Sequence, residues 1–407
     1  MKEERFLTIK IFAIFVVLLI FSAQLSDAVP PEQPRKIVVF KKSYGREADQ
    51  DALLRNFGAA KIKRLGLINS TAVHLSPGAE KFLKRKNEIL RIDEDLVITA
   101  VFKERKGKGK SKPKHPPQHP EELPWGIQRI YADQVWEVTT GSKVRVAILD
   151  TGIDLDHPDL WRNIKGGINT IKPRKSADDD NGHGTHLAGT VAAIDNDFGV
   201  IGVGPEVYLY AVKVLDNKGE GWLSDIIDAL DWCIDNKIQV INMSFGSLEG
   251  NQSFHDAIKK VHQAGITMVA SAGNNGEGSG LIEYPAFYPE TIAVSAVDED
   301  DDFASISSYG PQIDLTAPGV DILSTYRNGF YETMYGTSMS AAHVTGTVAL
   351  ILTTSPKWGY DLDGDKIWDP DEIKERLTDT AENLRLHPHQ QGAGLVRANC
   401  VLFRRIK

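Results

Sequence analysis

Cysteine is scarce. The 407 residues contain two, Cys233 and Cys400, so neither a disulfide framework nor a cysteine-based metal centre organises the chain. One bridge or two buried thiols are the readings that remain. No glycine-rich phosphate loop follows a strand in the manner of a dinucleotide site, which removes that class of enzyme. Long apolar runs are equally few. The one that occurs, residues 11–21, follows Lys2 and Arg5 and precedes Ser26 and Ala28. It is short for a bilayer span, so residues 1–28 read as a secretory signal. The expectation is a secreted, extracellular protein with no stable membrane span after signal removal.

Net positive charge is lacking over most of the chain. Residues 1–118 hold 24 Lys and Arg against 13 Asp and Glu, whereas residues 119–407 hold 23 against 42. An acidic body attracts cations and its own basic N-terminal part, and it argues against nucleic acid as a partner. Residues 103–120 contain Lys, Gly and Pro throughout and no apolar side chain besides proline; they read as a solvated linker open to proteolysis. Upstream, within residues 29–102, strands at 36–42, 72–75 and 90–101 alternate with helices at 46–58 and 80–87. This is a small α/β module, marginal in size and in need of a partner surface.

Downstream, in residues 121–407, near-continuous apolar runs at 144–149, 207–215, 240–244, 267–271 and 292–297 read as strands buried on both faces. Helical stretches at 186–193, 223–236 and 252–264 separate them. That pattern predicts a doubly wound, mostly parallel α/β sheet with its site at the carboxyl ends of strands. Asp150 stands at the end of the first strand. His183, with a glycine on each side, opens a helix. Ser338 follows the Gly336 turn at the start of a long apolar helix, where free N–H groups and the helix dipole favour negative charge. Read alone, Thr337 or Ser338 is a helix cap; together with the other two, Ser338 is a nucleophile. A serine hydroxyl needs a neutral imidazole as base, and the imidazole needs a carboxylate to fix its tautomer. Asn274, after Ala272-Gly273 at another strand end, offers an amide donor to the oxyanion, with the Ser338 N–H as the second. His186 and His343 read as packing or hydrogen-bonding residues, Asp154 as a turn residue, and the aspartates 178–180 obey no ligand spacing.

The order Asp150, His183, Ser338 is that of the subtilisins. Six blocks in sequence, VAILDTGIDLDHPDL, NGHGTHLAGTVAA, VINMSFGS, SAGNNG, LTAPGVDILST and YGTSMSAAHVTGTVALIL, resemble the subtilisin-like serine proteases, or subtilases, over about residues 121–400. The resemblance implies a subtilisin-like fold and a serine endopeptidase working through a Ser338 acyl-enzyme. It further implies a self-processing zymogen in which residues 29–102 are an inhibitory prodomain, cut near Val101-Phe102 or within the basic linker. Substrate would add as a strand between Ser244, Phe245, Gly246 and Gly219, Gly221. Two residues depart from the family pattern. Glu283 replaces a glycine before Tyr-Pro, where a carboxylate would either pair with a substrate Lys or Arg or turn to solvent or calcium. Ala342 replaces a proline, leaving the helix one more donor. The alternative is a catalytically inactive subtilase-fold binding or scaffold protein, against which the intact Asp150, His183, Ser338 and Asn274 speak. A monomer acting on protein or peptide substrates is expected.

Two stretches point to Ca2+. Asp361, Asp363, Asp365, Asp369 and Glu372, with the Ile367 carbonyl, follow the EF-hand spacing, although Lys366 takes the glycine position. The family resemblance implies a second site from Asp159, Asn196 and the carbonyls of Ile194, Phe198 and Val200, with Glu121 as a further ligand. Both would stabilise rather than catalyse.

Overall fold

The computed structural model describes residues 33–100, 103–104, 120–276, 281–356 and 360–399; the signal, most of the linker and Cys400 lie outside them. The N-terminal module comprises β1 (Arg35–Phe40), α1 (Glu47–Asn56), β2 (Ala60–Leu65), β3 (Ser70–His74), α2 (Pro77–Leu83) and β4 (Ile89–Glu94). The strands form an antiparallel sheet in the order β2-β3-β1-β4. Val38, Phe40, Val73 and Leu75 on one face bury Leu54 and Leu83 of the helices. Ile37, Val39, Leu65 and Ala72 on the other face join the apolar core of the body. Strand β2 was hidden in the sequence by Lys61, Lys63 and Arg64. Helix α2 starts before residue 80 because Ser76 accepts the Ala79 N–H and Pro77 fits the first turn. The stretch expected as one strand over 90–101 divides into β4 and a separate β5 (Val97–Ala100), and β6 (Lys103–Glu104) follows.

The body's strands are β7 (Arg145–Asp150), β8 (Ile164–Asn169), β9 (Tyr208–Lys213), β10 (Glu220–Trp222), β11 (Val240–Met243), β12 (Phe245–Gly246), β13 (Thr267–Ser271), β14 (Ile292–Val297), β15 (Leu315–Pro318), β16 (Ile322–Tyr326) and β17 (Phe330–Tyr335). Its helices are α3 (Trp125–Arg129), α4 (His183–Ala192), α5 (Leu223–Asp235), α6 (Gln252–Gln263), α7 (Thr337–Leu352), α8 (Pro370–Asp379) and α9 (Pro388–Gln391). Seven strands form a parallel sheet in the order β15-β14-β13-β11-β7-β9-β8. Successive residues of a strand point to opposite faces. Val146 and Ile148 therefore join Leu187, Val191, Val344 and Val348 of α4 and α7, while Ala147 and Leu149 join Ile226, Leu230 and Ile258 of α5 and α6. Burial on both sides is what makes these strands read as unbroken apolar runs. Strand β7 lies between β9 and β11, where the strand order turns over, and a crevice opens at its carboxyl end.

Candidate active site

Asp150 is the last residue of β7, and His183 is the first of α4. Thr337 and Ser338 open α7, whose residues 337–351 are all buried. The His183 Nδ1 lies 2.7 Å from Asp150 Oδ1, with both side chains fully buried. Asp150 also accepts the Thr151 N–H at 2.8 Å. The second carboxylate–backbone bond leaves the ring nitrogen facing a fixed oxygen, so the Nδ1–H tautomer is imposed and Nε2 is left for base chemistry. The Ser338 hydroxyl is buried in the first turn of α7, 3.4 Å from the Ser244 carbonyl.

Asn274 follows β13. Its Oδ1 accepts the Thr337 N–H at 3.1 Å and the Thr337 hydroxyl at 3.2 Å. An N–H donor faces this oxygen, so the amide cannot be turned the other way, and its Nδ2 is held buried without a partner among the described residues. A pre-aimed donor beside the first turn of α7 is what a developing oxyanion requires. Thr337, which sets this orientation, reads in the sequence only as a helix cap; the cap position is Gly336, and no side chain caps the helix.

The strand edges expected to bind substrate are filled by the chain itself. Strand β5 lies antiparallel between β10 and β12, with Ile98 opposite Gly221, Thr99 opposite Glu220 and Gly246, and Ala100 opposite Phe245. The Ala100 N–H donates to the Gly219 carbonyl at 2.8 Å. Gly221 has no alternative here, because a Cβ would overlap the Val214 carbonyl. Beyond Phe102, β6 pairs with β17, Lys103 opposite Tyr335. Glu283 lies wedged between Gly246 and Gly273, where a Cβ on either glycine would meet its side chain. It accepts the Asn275 amide at 2.8 Å, and burial pushes its carboxyl above the ordinary glutamate range.

The other sequence-selected groups are engaged structurally. His186 Nε2 bridges the Ile322 and Glu332 carbonyls, and its imidazole is depressed to about 3 by burial. His343 Nδ1 meets the Met339 carbonyl, and burial depresses that ring to about 4. Asp154 accepts the Gly329 N–H at 3.0 Å. Asp180 pairs with Lys213 at 2.7 Å and Asp178 accepts the Leu155 N–H. Cys233 is a buried free thiol, pushed up by desolvation.

In the 361–372 loop the carboxylates of Asp361, Asp363 and Glu372 lie within 4.8 Å of one another, and none forms an ion pair among the described residues. Asp365 instead accepts the Ile367 N–H, and Asp369 caps α8 in a capping box with Glu372. Gly364 and Lys366 both adopt positive φ, at 83° and 66°, so Lys366 takes the tight turn that glycine normally takes. Asp159 accepts from Asn196, Val200 and Tyr331, and burial raises it to about 6. Glu121 accepts the Asn196 N–H and is likewise raised by burial. The 194–200 loop lies against both, the Ile194 N–H donating to the Asp159 carbonyl. The 361–372 cluster gathers carboxylates without cationic side-chain partners among the described residues, the chemistry a hard divalent cation takes; at the other place the Asp159 oxygens are occupied by the Asn196 amide, the Val200 N–H and the Tyr331 hydroxyl.

Comparison with known proteins agrees with this geometry. The model of the subtilase family matches residues 141–394. Subtilisin amylosacchariticus from Bacillus subtilis subsp. amylosacchariticus is 35% identical over 405 residues, covering 97% of this chain and 98% of its own. Subtilisin J from Geobacillus stearothermophilus is 35% identical over 94% of this chain and 96% of its own. A thermostable alkaline protease from Halalkalibacterium halodurans is 42% identical over 68% of this chain and 73% of its own.

Proposed function

Since the chain belongs to the subtilase family and is a serine endopeptidase acting on protein substrates, we propose that it is a secreted, calcium-stabilised monomer that cuts itself free of residues 29–102. In this reading Ser338 attacks the scissile carbonyl, His183 takes its proton and later returns it to the leaving amine, and Asp150 stabilises the imidazolium. Asn274 Nδ2 and the Ser338 N–H receive the oxyanion. The observation that carries the proposal is the β10-β5-β12 ladder: the chain lies in its own cleft as a substrate would. Ala100 and Lys103 pair with strands on opposite sides of the site, which favours the Val101–Phe102 bond over one inside the basic linker. Until the module leaves, it is the inhibitor.

Glu283 gives the mature enzyme a preference for Lys or Arg before the scissile bond, whereas the self-cut is directed by the pairing of β5 with β10 and β12. A raised carboxyl ionises later, so this preference strengthens as pH rises through the Glu283 pKa. Calcium at the two acidic sites would hold loops in place, with Asp361, Asp363 and Glu372 as ligands at one and Asp159, Asn196 and Glu121 at the other.

Refolding the chain without its signal, beside Ser338→Ala, tests the reading by intact mass. The parent should separate at Val101–Phe102 while the variant stays whole; a parent that folds yet never separates would favour the inactive binding protein. Peptides with Lys, Arg, Phe and Leu before the bond, assayed at pH 6 and 9, test Glu283. A flat preference at both pH values removes its role.

A further inference from the structure

The first turn of α4 and the end of β7 come from segments 33 residues apart, yet Asp150 and His183 meet at 2.7 Å. Backbone proximity alone is demanding here. Gly152 and Gly182 adopt φ of 105° and 118°. A Cβ on Gly152 would overlap the Ala177 carbonyl, and one on Gly184 the Gly152 carbonyl. Something must hold the two segments in register.

We propose that Asp179 is a positioning residue for the reaction, its carboxylate fastening the strand end that carries Asp150 to the helix start that carries His183. Asp179 Oδ1 accepts from the Thr151 hydroxyl at 2.9 Å and from the Asn181 and Gly182 N–H groups, each at 2.9 Å. Its Oδ2 accepts from the Thr185 N–H at 3.0 Å and the Thr185 hydroxyl at 2.6 Å. Five donors thus converge on one buried carboxylate. Thr151 is next to Asp150, and its hydroxyl oxygen also accepts the Gly184 N–H at 3.0 Å. The path from Asp150 through Thr151 and Asp179 to residues 181–185 is continuous.

The side chain must be an aspartate. An asparagine in its place would turn an NH2 group toward either the Thr185 N–H or the three donors at Oδ1, so one half of the clasp opens. Burial pushes the Asp179 carboxyl upward while the five donors pull it back. Asp179 touches neither substrate nor a reacting atom; it acts through the separation and angle of the Asp150–His183 pair, and small misplacements at such a pair lower turnover steeply.

The inference rests on the triad reading, and the test separates the two. Asp179→Asn, Thr151→Val and Thr151→Ser are made in the full chain lacking its signal, and the matured enzymes are assayed on one peptide. Wild-type activity establishes the triad reading independently. Asp179→Asn should lower kcat about 10- to 100-fold with KM within about twofold. The acidic limb of kcat/KM should move to lower pH, because an imidazolium less well paired with Asp150 loses its proton more readily. Thr151→Val should lower kcat about tenfold and Thr151→Ser, which keeps the hydroxyl, should restore it. The Asp179→Asn/Thr151→Val double variant should be no slower than the slower single one, since both open the same clasp. If Asp179→Asn fails to fold, the Thr151 pair decides. Equal kcat and unshifted pH limbs in all variants, with lowered Tm only, would overturn the proposal.

Discussion

The N-terminal module and the body solve the burial problem differently. The body places helices on both faces of a seven-stranded sheet, so nearly every strand residue finds an internal partner. The module has helices on one face only; its other face is closed by α5 and α6 of the body. Polar contacts mark the same seam. Lys63 pairs with Asp225 at 2.5 Å and with Asp228 at 3.1 Å, Arg91 pairs with Asp256 at 2.6 Å, and Asp95 accepts the Ser224 N–H at 2.8 Å at the start of α5. The body closes both faces of its own sheet, whereas the module closes one of its two faces on the body.

Five measurements would sharpen or break this contrast. If chemistry resides wholly in the body, Asn274→Ala should lower kcat about 100- to 1000-fold, the size of loss such a donor is worth in a subtilisin, while module binding stays unchanged and the Tm falls modestly as Thr337 loses its acceptor. If the module depends on the seam, Lys63→Ala should weaken inhibition of the mature body by the added module about 10- to 100-fold. Residues 33–100 alone should then give the far-UV spectrum of an unfolded chain; a cooperative transition in isolation would break the comparison. Chelation should lower the Tm of the Ser338→Ala body by about 10 °C and leave the module's own spectrum untouched. The smallest effect concerns acid. His186 and His343 are depressed to about 3 and about 4, so the unfolded chain binds protons first as pH falls. Their contribution is complete above about pH 6.5 and is lost progressively below it. A Tm lower by a few degrees at pH 5 than at pH 7, with a shallower slope in His186→Gln, is expected; an unchanged slope would show that His186 binds protons equally in the folded and unfolded chain.

The site was more legible than the frame around it. Asp150, His183, Ser338 and Asn274 each sit in a short motif whose residues are fixed by chemistry, and the structure brings His183 onto Asp150 and the Asn274 amide onto Thr337. Strands β2 and β8 left little trace. Lys61, Lys63 and Arg64 interrupt the first, and Gly166 and Gly167 stand in the middle of the second, where a Cβ at Gly167 would overlap the Ala211 carbonyl. Such edge strands are chosen by their neighbours rather than by their own propensity. Asp179 was hidden for the opposite reason. Three aspartates in a row look alike in sequence, and only the fold gives one to Lys213, one to a turn and one to the clasp between Asp150 and His183.

Two residues separate the end of β5 from the start of β6; the first strand pairs with β10 and β12 and the second with β17. On the proposed self-cleavage between them, the target is tethered to the site, at an effective concentration of the order of millimolar however dilute the solution. That cut would be first order in protein, with the same half-time at nanomolar and micromolar concentration, whereas every cut of an outside peptide would be bimolecular. One molecule would then contain two kinetic regimes, divided by a single bond.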